Sequence, residues 1–434
     1  MNGDFLVDRR RFLVLAAATG LAAPGTIGRA YARPVAGQPL PIPQILDVSG
    51  ATDAALEAIR GTGSFVEGGA ARTLGYSQPC LGPVLRMRRG EIARPVLRNR
   101  LDMPVTAHWH GAHVPGALDG GPQLAVAPGS SWAPELEIDQ PAAPLWYHSH
   151  LHGQTGPQVY HGLSGMMIVE DPGAQNPGLP SAWGVDDIPV IIEDRWFGRG
   201  GELAYDLDMP TVMHGFQGDT ILVNGAVQPN ASVARGLVRL RLLNGSNARI
   251  YTLKLEDGRG LHQIASDGGF LPAPVARDAL VLAPAERAEI VVDLSDGATV
   301  RLVSLPDGNA PMNGMMGGGR ADGGGMMGGG GMKGRMMGDM GGTDPEAVTD
   351  EGAFAVLSLT PDRPAPAGQA LPRTLAGGPH ANHRRAHAAS QLRPSDGSDG
   401  HARRWQSTAK PTTWAGSTSK RDAERSNFGM CHPT

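Results

Sequence analysis

Two histidine pairs, forty residues apart, organise this chain: His108-Trp109-His110-Gly111, and Trp146-Tyr147-His148-Ser149-His150-Leu151-His152-Gly153. Residues two apart in a β-strand point to the same face, so each His-x-His motif places two imidazoles on one side of a strand. If the two strands pair, four neutral imidazoles converge. Imidazole suits copper, zinc, iron and nickel, so the motifs predict a metal site without identifying the metal.

A single His-x-His motif has a simpler interpretation, because surface histidines and hydrogen-bonded core histidines also occur at this spacing. Here the motif occurs in two separate stretches, each of which ends in a His-Gly step (His110-Gly111 and His152-Gly153) and lies in aromatic, strand-like surroundings. The repetition favours a metal site over two unrelated pairs.

The composition predicts an all-β protein. The 434 residues are enough for two or three domains, only 18% are charged, and glycine (62) and proline (36) are abundant. This is typical of many short strands joined by turns. The formal net charge of −4 gives no sign of nucleic-acid binding. The two cysteines, Cys80 and Cys431, do not define a disulfide framework.

The N-terminus has the pattern of an export signal. Arg9 and Arg10 begin an arginine run, an apolar stretch spans 12–23, and Ala30-Tyr31-Ala32 is a small-x-small cleavage site. We predict a twin-arginine (Tat) signal peptide over residues 1–32, with the Tat export machinery as a partner and a periplasmic mature protein. The alternative is a short membrane anchor, but this apolar run is too short to span a bilayer. No other stretch predicts a membrane span.

Two β-rich units follow, residues 44–172 and residues 183–362, joined by a Pro/Gly-rich linker at 171–180. In the first unit, Gly90 between apolar runs at 84–87 and 92–97 predicts a hairpin. Further strands are predicted at 105–109, 131–138, 145–150 and 163–169. In the second unit, Asn224-Gly225 after a run at 220–223 predicts a hairpin turn. Strand spacing of this kind favours β-sandwiches or barrels.

A low-complexity insert at 312–342 interrupts the second unit and consists mostly of glycine and methionine. It cannot bury a core, so we predict that it is disordered. Thioethers are soft ligands that select Cu(I), which favours Cu(I) capture; the alternative is a flexible loop in which methionine is incidental. The methionines are Met312, Met315, Met316, Met326, Met327, Met332, Met336, Met337 and Met340.

The chain resembles the multicopper oxidases, and most closely the bacterial periplasmic cuprous oxidases of copper efflux. The resemblance covers about 40–376 and rests on HWHG, VPGALDGGPQ, DQPAAPLWYHSHLHG and GLSGMMIVED, with GDTILVNGA, RLRLLNGSNAR and IASDGGFLPAPV in the second unit. It implies tandem cupredoxin-like Greek-key β-sandwich domains, three in the family, of which residues 44–172 and 183–362 would be the first two. It also implies oxidation of Cu(I) or a phenolic reductant at a type 1 copper, with reduction of O₂ at a trinuclear type 2/type 3 copper cluster.

The resemblance also implies roles for individual residues. His108 would be a type 2 copper ligand, and His110, His148 and His150 would be type 3 ligands. Asp119 occupies the position of an acid that assists proton delivery to the cluster. His113 and His152 match no ligand position, and we predict that they are structural or surface residues. The four ligands would supply half of the trinuclear site.

The sequence departs from the family beyond residue 376. The HPxHxHG motif and the later His-Cys-His motif, which supply the remaining cluster ligands and the type 1 site, are absent from the sequence. Residues 378–434 lack strand periodicity and are predicted to be disordered; we expect a frameshift between about residues 376 and 385. As written, the chain is expected to have little oxidase activity. The alternatives are a non-enzymatic periplasmic copper-binding protein and a copper-free scaffold.

Overall fold

The computed structural model describes residues 34–50, 54–306 and 352–377. The predicted signal peptide (1–32), the predicted Met/Gly insert (312–342) and the predicted disordered tail (378–434) lie outside the described residues. Among the described residues, no helix has the length and hydropathy that a membrane crossing requires.

The first half of the described chain contains eleven strands and one short helix. They are β1 (Ile45–Asp47), β2 (Ala54–Gly63), β3 (Ala71–Tyr76), β4 (Val84–Arg88), β5 (Ile92–Ala93), β6 (Pro95–Asn99), β7 (His108–His110), β8 (Ser131–Trp132), β9 (Leu136–Glu137), β10 (Ala143–His148), α1 (Thr155–Tyr160) and β11 (Ser164–Glu170).

These strands form a sandwich of two main sheets, ordered β1-β4-β11-β10-β7 and β3-β2-β6-β8, with a small β5-β9 pair. Alternating burial along β2 shows that one face of the strand packs inward. The shared core includes Leu56, Leu85, Leu97, Trp109 and Tyr147, all at most 1% exposed. Both strands that carry histidines therefore lie in the same sheet, one of them at its edge.

The second half repeats the architecture with a larger sandwich and one further helix. Its elements are β12 (Asp187–Arg195), α2 (Met209–His214), β13 (Thr220–Val223), β14 (Ala226–Val227), β15 (Asn230–Ala234), β16 (Leu237–Asn244), β17 (Tyr251–Leu255), β18 (Leu261–Ser266), β19 (Gly269–Arg277), β20 (Leu280–Leu282), β21 (Arg287–Asp293), β22 (Val300–Leu305) and β23 (Phe354–Arg363).

Its two sheets are ordered β14-β13-β12-β16-β21-β18-β19 and β15-β23-β22-β17-β20. Leu240, Ile290, Leu253 and Val356 are fully buried between them. The strand content and the two stacked sandwiches confirm the predicted all-β, cupredoxin-like fold class.

An apolar cluster joins the two halves. Val84, Trp146, Met166 and Ile168 of the first half pack with Ile191 and Leu243 of the second. All six residues of β10 are consequently buried, because Leu145 and Tyr147 face the first core while Trp146 faces this junction. The strand that carries His148 is thus held from both sides.

The predicted hairpin at Gly90 is wrong. Gly90 does make a turn with φ of 84°, but β4 pairs with β1 and β11, whereas β5 pairs with β9. The predicted strand at 131–138 is likewise two short strands, because Pro134 between them cannot donate a hydrogen bond to a ladder.

The predicted strands around the histidines are shorter than expected. The first begins only at His108, and Val105 forms an isolated bridge with Val126. The second ends at His148, so His150 lies beyond the strand rather than on it. The hairpin turn at Asn224-Gly225 is confirmed: β13 and β14 pair, and both turn residues have positive φ (52° and 81°), as a type I′ turn requires.

Candidate metal centre

The register between β7 and β10 brings the two histidine motifs together. The strands are antiparallel, with His108 opposite His148 and Trp109 opposite Tyr147. Residues directly opposite each other share a face of the sheet, so Trp109 and Tyr147 enter the core while the histidines point away from it. The predicted convergence follows from this one strand pairing.

Three imidazoles present ring nitrogens to a common point. One ring nitrogen from each of His108, His110 and His148 lies within 4.8 Å of the other two. The closest pair is His110 Nδ1 and His148 Nε2, at 3.3 Å. Two nitrogens that bind one metal at about 2.0–2.1 Å with a tetrahedral angle lie roughly 3.3 Å apart. Without a metal, the same separation is an N–H···N hydrogen bond.

His150 completes the group from the segment after β10. Its ring centroid lies 5.3 Å from that of His108 and 5.6 Å from that of His148. Its backbone N–H donates to Thr106 Oγ1 at 2.6 Å, which turns the chain out of the strand. Its buried Nδ1 has no hydrogen-bond partner among the described residues. An unpaired buried polar atom is costly.

Hydrogen bonds to backbone carbonyls fix two of the rings. His108 Nδ1 donates to Asp119 O at 2.8 Å, and His148 Nδ1 donates to Ser149 O at 2.9 Å. A carbonyl only accepts, so Nδ1 carries the proton in both rings and Nε2 keeps a lone pair. This second interaction orients a ligand and sets its tautomer.

Asp119, the predicted proton-delivery residue, lies beside His108. Its Oδ1 is 3.2 Å from His108 Nδ1, and the side chain is half-buried. Burial raises the pKa of its carboxyl, while His108 and His150 act to lower it. The loop that carries Asp119 packs closely against Ala107 because Gly120 has no side chain. A Cβ at Gly120 would lie 1.8 Å from the carbonyl oxygen of Ala107.

Burial keeps two of the imidazoles neutral at physiological pH. It lowers the pKa of His110 to about 4, helped by the positive charge of Arg287, and lowers the pKa of His148 to about 3. A metal ligand must be a neutral imidazole. Both rings are therefore already neutral before a metal binds, and the all-nitrogen set fits copper.

The histidines line one end of a cleft between the two halves, with a volume of about 450 Å³. The opposite wall belongs to the second half and includes Tyr205, Phe216 and Asn247. Trp146 forms part of the wall and stacks on His148, with ring centroids 4.0 Å apart and an interplanar angle of 24°. Its buried Nε1 has no hydrogen-bond partner within the described ranges.

The other histidines among the described residues are not part of this group. His113, His152 and His214 are exposed. His161 follows α1, where its Nδ1 contacts the carbonyl oxygen of Pro157 at 2.7 Å. No sequence pattern indicates Thr106 or Arg287 as neighbours of the centre, because both contacts depend on the tertiary fold. Trp146 was part of the quoted motif but had no predicted role.

Comparison with known proteins identifies the class. A sequence profile described as multicopper oxidase matches residues 59–174. The laccase-like multicopper oxidase CueO from Ochrobactrum sp. is 34% identical, with a TM-score of 0.64, over 78% of this chain and 67% of that one. A variant of the McoA multicopper oxidase from Aquifex aeolicus is 30% identical, with a TM-score of 0.63, over 78% and 68%. The chain belongs to the multicopper oxidase family.

The curated relatives carry a different kind of name. The chain is 43% identical to the cell division protein FtsP of Yersinia pestis over 298 residues, which is 69% of this chain and 62% of the relative. FtsP of Escherichia coli is 44% identical over 265 residues, 61% of this chain and 56% of the relative. The chain thus spans less than two thirds of the length of these relatives.

Proposed function

We propose that this chain is a copper-binding protein in which His108 holds a type 2 copper and His110, His148 and His150 hold type 3 copper. The observation that carries the proposal is the 3.3 Å separation of His110 Nδ1 and His148 Nε2, with a nitrogen of His108 within 4.8 Å of both. The fixed tautomers of His108 and His148 and the depressed pKa values of His110 and His148 support it.

Copper bound here would supply one-electron chemistry and, in a complete trinuclear site, the reduction of O₂. The protein's own groups would orient the ligands through Asp119 O and Ser149 O, and the Asp119 carboxyl would assist proton delivery. The Trp146 ring shields one face of His148 from water. For a complete site that included these ligands, the activity we propose is oxidation of Cu(I) or a phenolic reductant. The present sequence has no His-Cys-His motif for a type 1 site, so we propose copper binding without turnover for these residues.

The test is a titration of the mature chain with Cu(II), monitored by bound copper per chain and by EPR. We expect His110→Ala/His148→Ala to lose the Cu(II) that the wild-type chain binds through nitrogen ligands. His113→Ala/His152→Ala is the matched control, because it removes two exposed histidines from the same neighbourhood. Equal copper binding by the two double variants would contradict the proposal. Blue absorbance with oxidase turnover by the wild-type chain would contradict the absence of turnover.

We also propose that the nine methionines of residues 312–342 capture Cu(I). The soft thioethers would then bind Cu(I), and the neutral imidazole centre would bind Cu(II). Deletion of 312–342 should lower the Cu(I) stoichiometry, measured by competition with a chromogenic Cu(I) chelator, and leave Cu(II) binding at the histidines unchanged. Unchanged Cu(I) stoichiometry would favour a loop in which methionine is incidental.

The second candidate function is a role in cell division, favoured by 43% identity over 298 residues to a protein of that name. An Escherichia coli strain without its own FtsP would separate the two candidates, with cell length as the readout. If the wild-type chain and His110→Ala/His148→Ala restore cell length equally, the division role does not depend on copper. If neither restores it, copper binding remains the better proposal.

A further inference from the structure

Arg287 reaches from the second half of the protein to β10 and to the residue that follows β7. It is the first residue of β21 and is 6% exposed. Its Nε donates to the carbonyl oxygen of Pro144 in β10 at 3.1 Å. Its Nη2 lies 2.7 Å from the point where a Cβ on Gly111 would be. Gly111 is the residue that follows His110, and Pro144 lies in the strand that ends at His148.

The second half holds the guanidinium rigidly. Nη1 donates to the carbonyl oxygen of Ala285 at 2.9 Å and pairs with Asp267 Oδ1 at 2.8 Å. The same Asp267 Oδ1 accepts the backbone N–H of Arg287 at 2.7 Å. The planar fork of arginine suits several directed hydrogen bonds at once. A buried side chain anchored in this way holds the residues that pack against it, Gly111 and Pro144, in fixed positions.

Gly111 fits only because it has no side chain. Its φ is 90°, a conformation that favours glycine. A Cβ there would meet Arg287 Nη2 and, at 2.8 Å, Leu145 Cδ2. The glycine after the first histidine pair therefore lets the chain turn directly against Arg287.

We propose that Arg287 is a positioning residue for the histidine centre, fixing His110 through Gly111 and His148 through Pro144 from the second half of the protein. The proposal rests on the proposed copper function. It assigns to the second half a part in forming the copper site, although the four histidines themselves all belong to the first half. Arg287 acts through its neighbours and is not a ligand.

The experiment compares Arg287→Gln and Arg287→Lys with the wild-type chain in Cu(II) titrations and EPR. Loss of a residue that supports the ligands typically weakens metal binding about 10–100-fold, and we expect both variants to show such a loss with an altered EPR spectrum. Lysine keeps the charge but cannot make the directed contacts of the fork. Full rescue by lysine would overturn a positioning role, since charge alone would then suffice.

Arg239→Gln is the matched control for folding. Arg239 is also buried (7% exposed), lies in neighbouring β16 and bonds to Glu289 rather than to the histidine strands. We expect Arg239→Gln to lower the melting temperature without changing the copper Kd. If Arg287→Gln binds copper with wild-type Kd and spectrum, the positioning proposal fails. If the wild-type chain binds no Cu(II) at the histidines, the proposed function itself fails.

A double-mutant cycle tests the packing on Gly111 without any metal. Gly111→Ala should cost less free energy of unfolding in an Arg287→Ala background than in the wild type, because removal of the guanidinium relieves one of the two clashes. The strain of positive φ is common to both backgrounds and cancels. Equal costs in the two backgrounds would overturn the contact on which the proposal depends.

Discussion

His108 Nδ1 lies 2.8 Å from the main-chain carbonyl oxygen of Asp119 and 3.2 Å from the carboxylate of the same residue. Asp119 therefore contacts the histidine through both its main chain and its side chain. The carbonyl alone is enough to set the tautomer of His108, because it only accepts. The carboxyl group is therefore not needed to set the tautomer, and we propose for it the proton delivery predicted from the family resemblance.

Substitutions at Asp119 and Gly120 separate these contacts. Asp119→Asn keeps the main-chain carbonyl that accepts from His108 Nδ1, so we expect unchanged Cu(II) stoichiometry. Gly120→Ala should displace the main-chain carbonyl of the preceding Asp119, because the new Cβ would lie 1.8 Å from Ala107 O. The φ of 67° at this position also disfavours alanine. Strain of this kind costs about 1–3 kcal/mol, and copper binding should weaken. Cu(II) titration and urea unfolding of each variant measure the two effects.

Gly121→Ala is the control for that pair. Its Cβ would meet the exposed end of the Gln123 side chain, which is held by a hydrogen bond to Gly116 O at 3.1 Å and can shift more easily than main chain. We therefore expect Gly121→Ala to bind copper as the wild type does. Loss of copper by Asp119→Asn as large as that by Gly120→Ala would show that the carboxylate, and not the carbonyl, fixes His108.

The metal-free protein should lose stability in mild acid. The folded-state pKa values of His110 and His148, about 4 and about 3, lie below the ordinary value of 6.5. The unfolded chain therefore binds more protons as pH falls below 6.5, and the stability contributed by the neutral rings declines progressively towards pH 3. At about 1.4 kcal/mol per pKa unit, the shift of His148 from 6.5 to about 3 lowers the free energy of unfolding by on the order of 5 kcal/mol between pH 6.5 and pH 3.

Urea unfolding of the metal-free chain at several pH values between 4 and 7 measures this dependence. His148→Gln should show a shallower decline than the wild type, because its side chain does not titrate. His113→Gln should decline as the wild type does, because His113 is exposed. Equal slopes for all three proteins would place the acid sensitivity elsewhere in the chain.

The sequence predicted the fold class and the convergence of the histidines because both depend on local pattern. Alternating residues in a strand fix which side chains share a face, and only the pairing of β7 with β10 was needed to bring His108 opposite His148. The sequence did not predict where these strands end. Their ends depend on contacts such as that between His150 N and Thr106, forty-four residues apart.

Contacts between the histidine centre and the second half of the protein could not be predicted from the sequence for the same reason. Arg287 lies 143 residues from Pro144, and no periodicity links the two. The failed hairpin at Gly90 shows a related limit. A turn residue marks where the chain reverses, but the sheet that each flanking strand joins is decided by packing of the whole sandwich.

Export by the twin-arginine route is testable with a conservative change. Arg9→Lys/Arg10→Lys keeps the positive charge but removes the arginine pair, and we expect it to block appearance of the mature chain in the periplasmic fraction. Arg29→Lys, near the predicted cleavage site, is the control. Periplasmic chain in normal amounts from the double variant would contradict Tat export.

Trp146 should report copper at His148 directly, because its ring stacks at 4.0 Å on the imidazole. Cu(II) bound there should quench the fluorescence of the tryptophan. In Trp146→Phe we expect most of the quenching to disappear while copper still binds, since the phenyl ring retains the stacking and removes a buried N–H that lacks a partner among the described residues. Trp132→Phe is the control, because Trp132 stacks on Trp109 rather than on a histidine. If Trp146→Phe were quenched as strongly as the wild type, the bound copper would have to lie away from His148, and the proposed ligand set would be wrong.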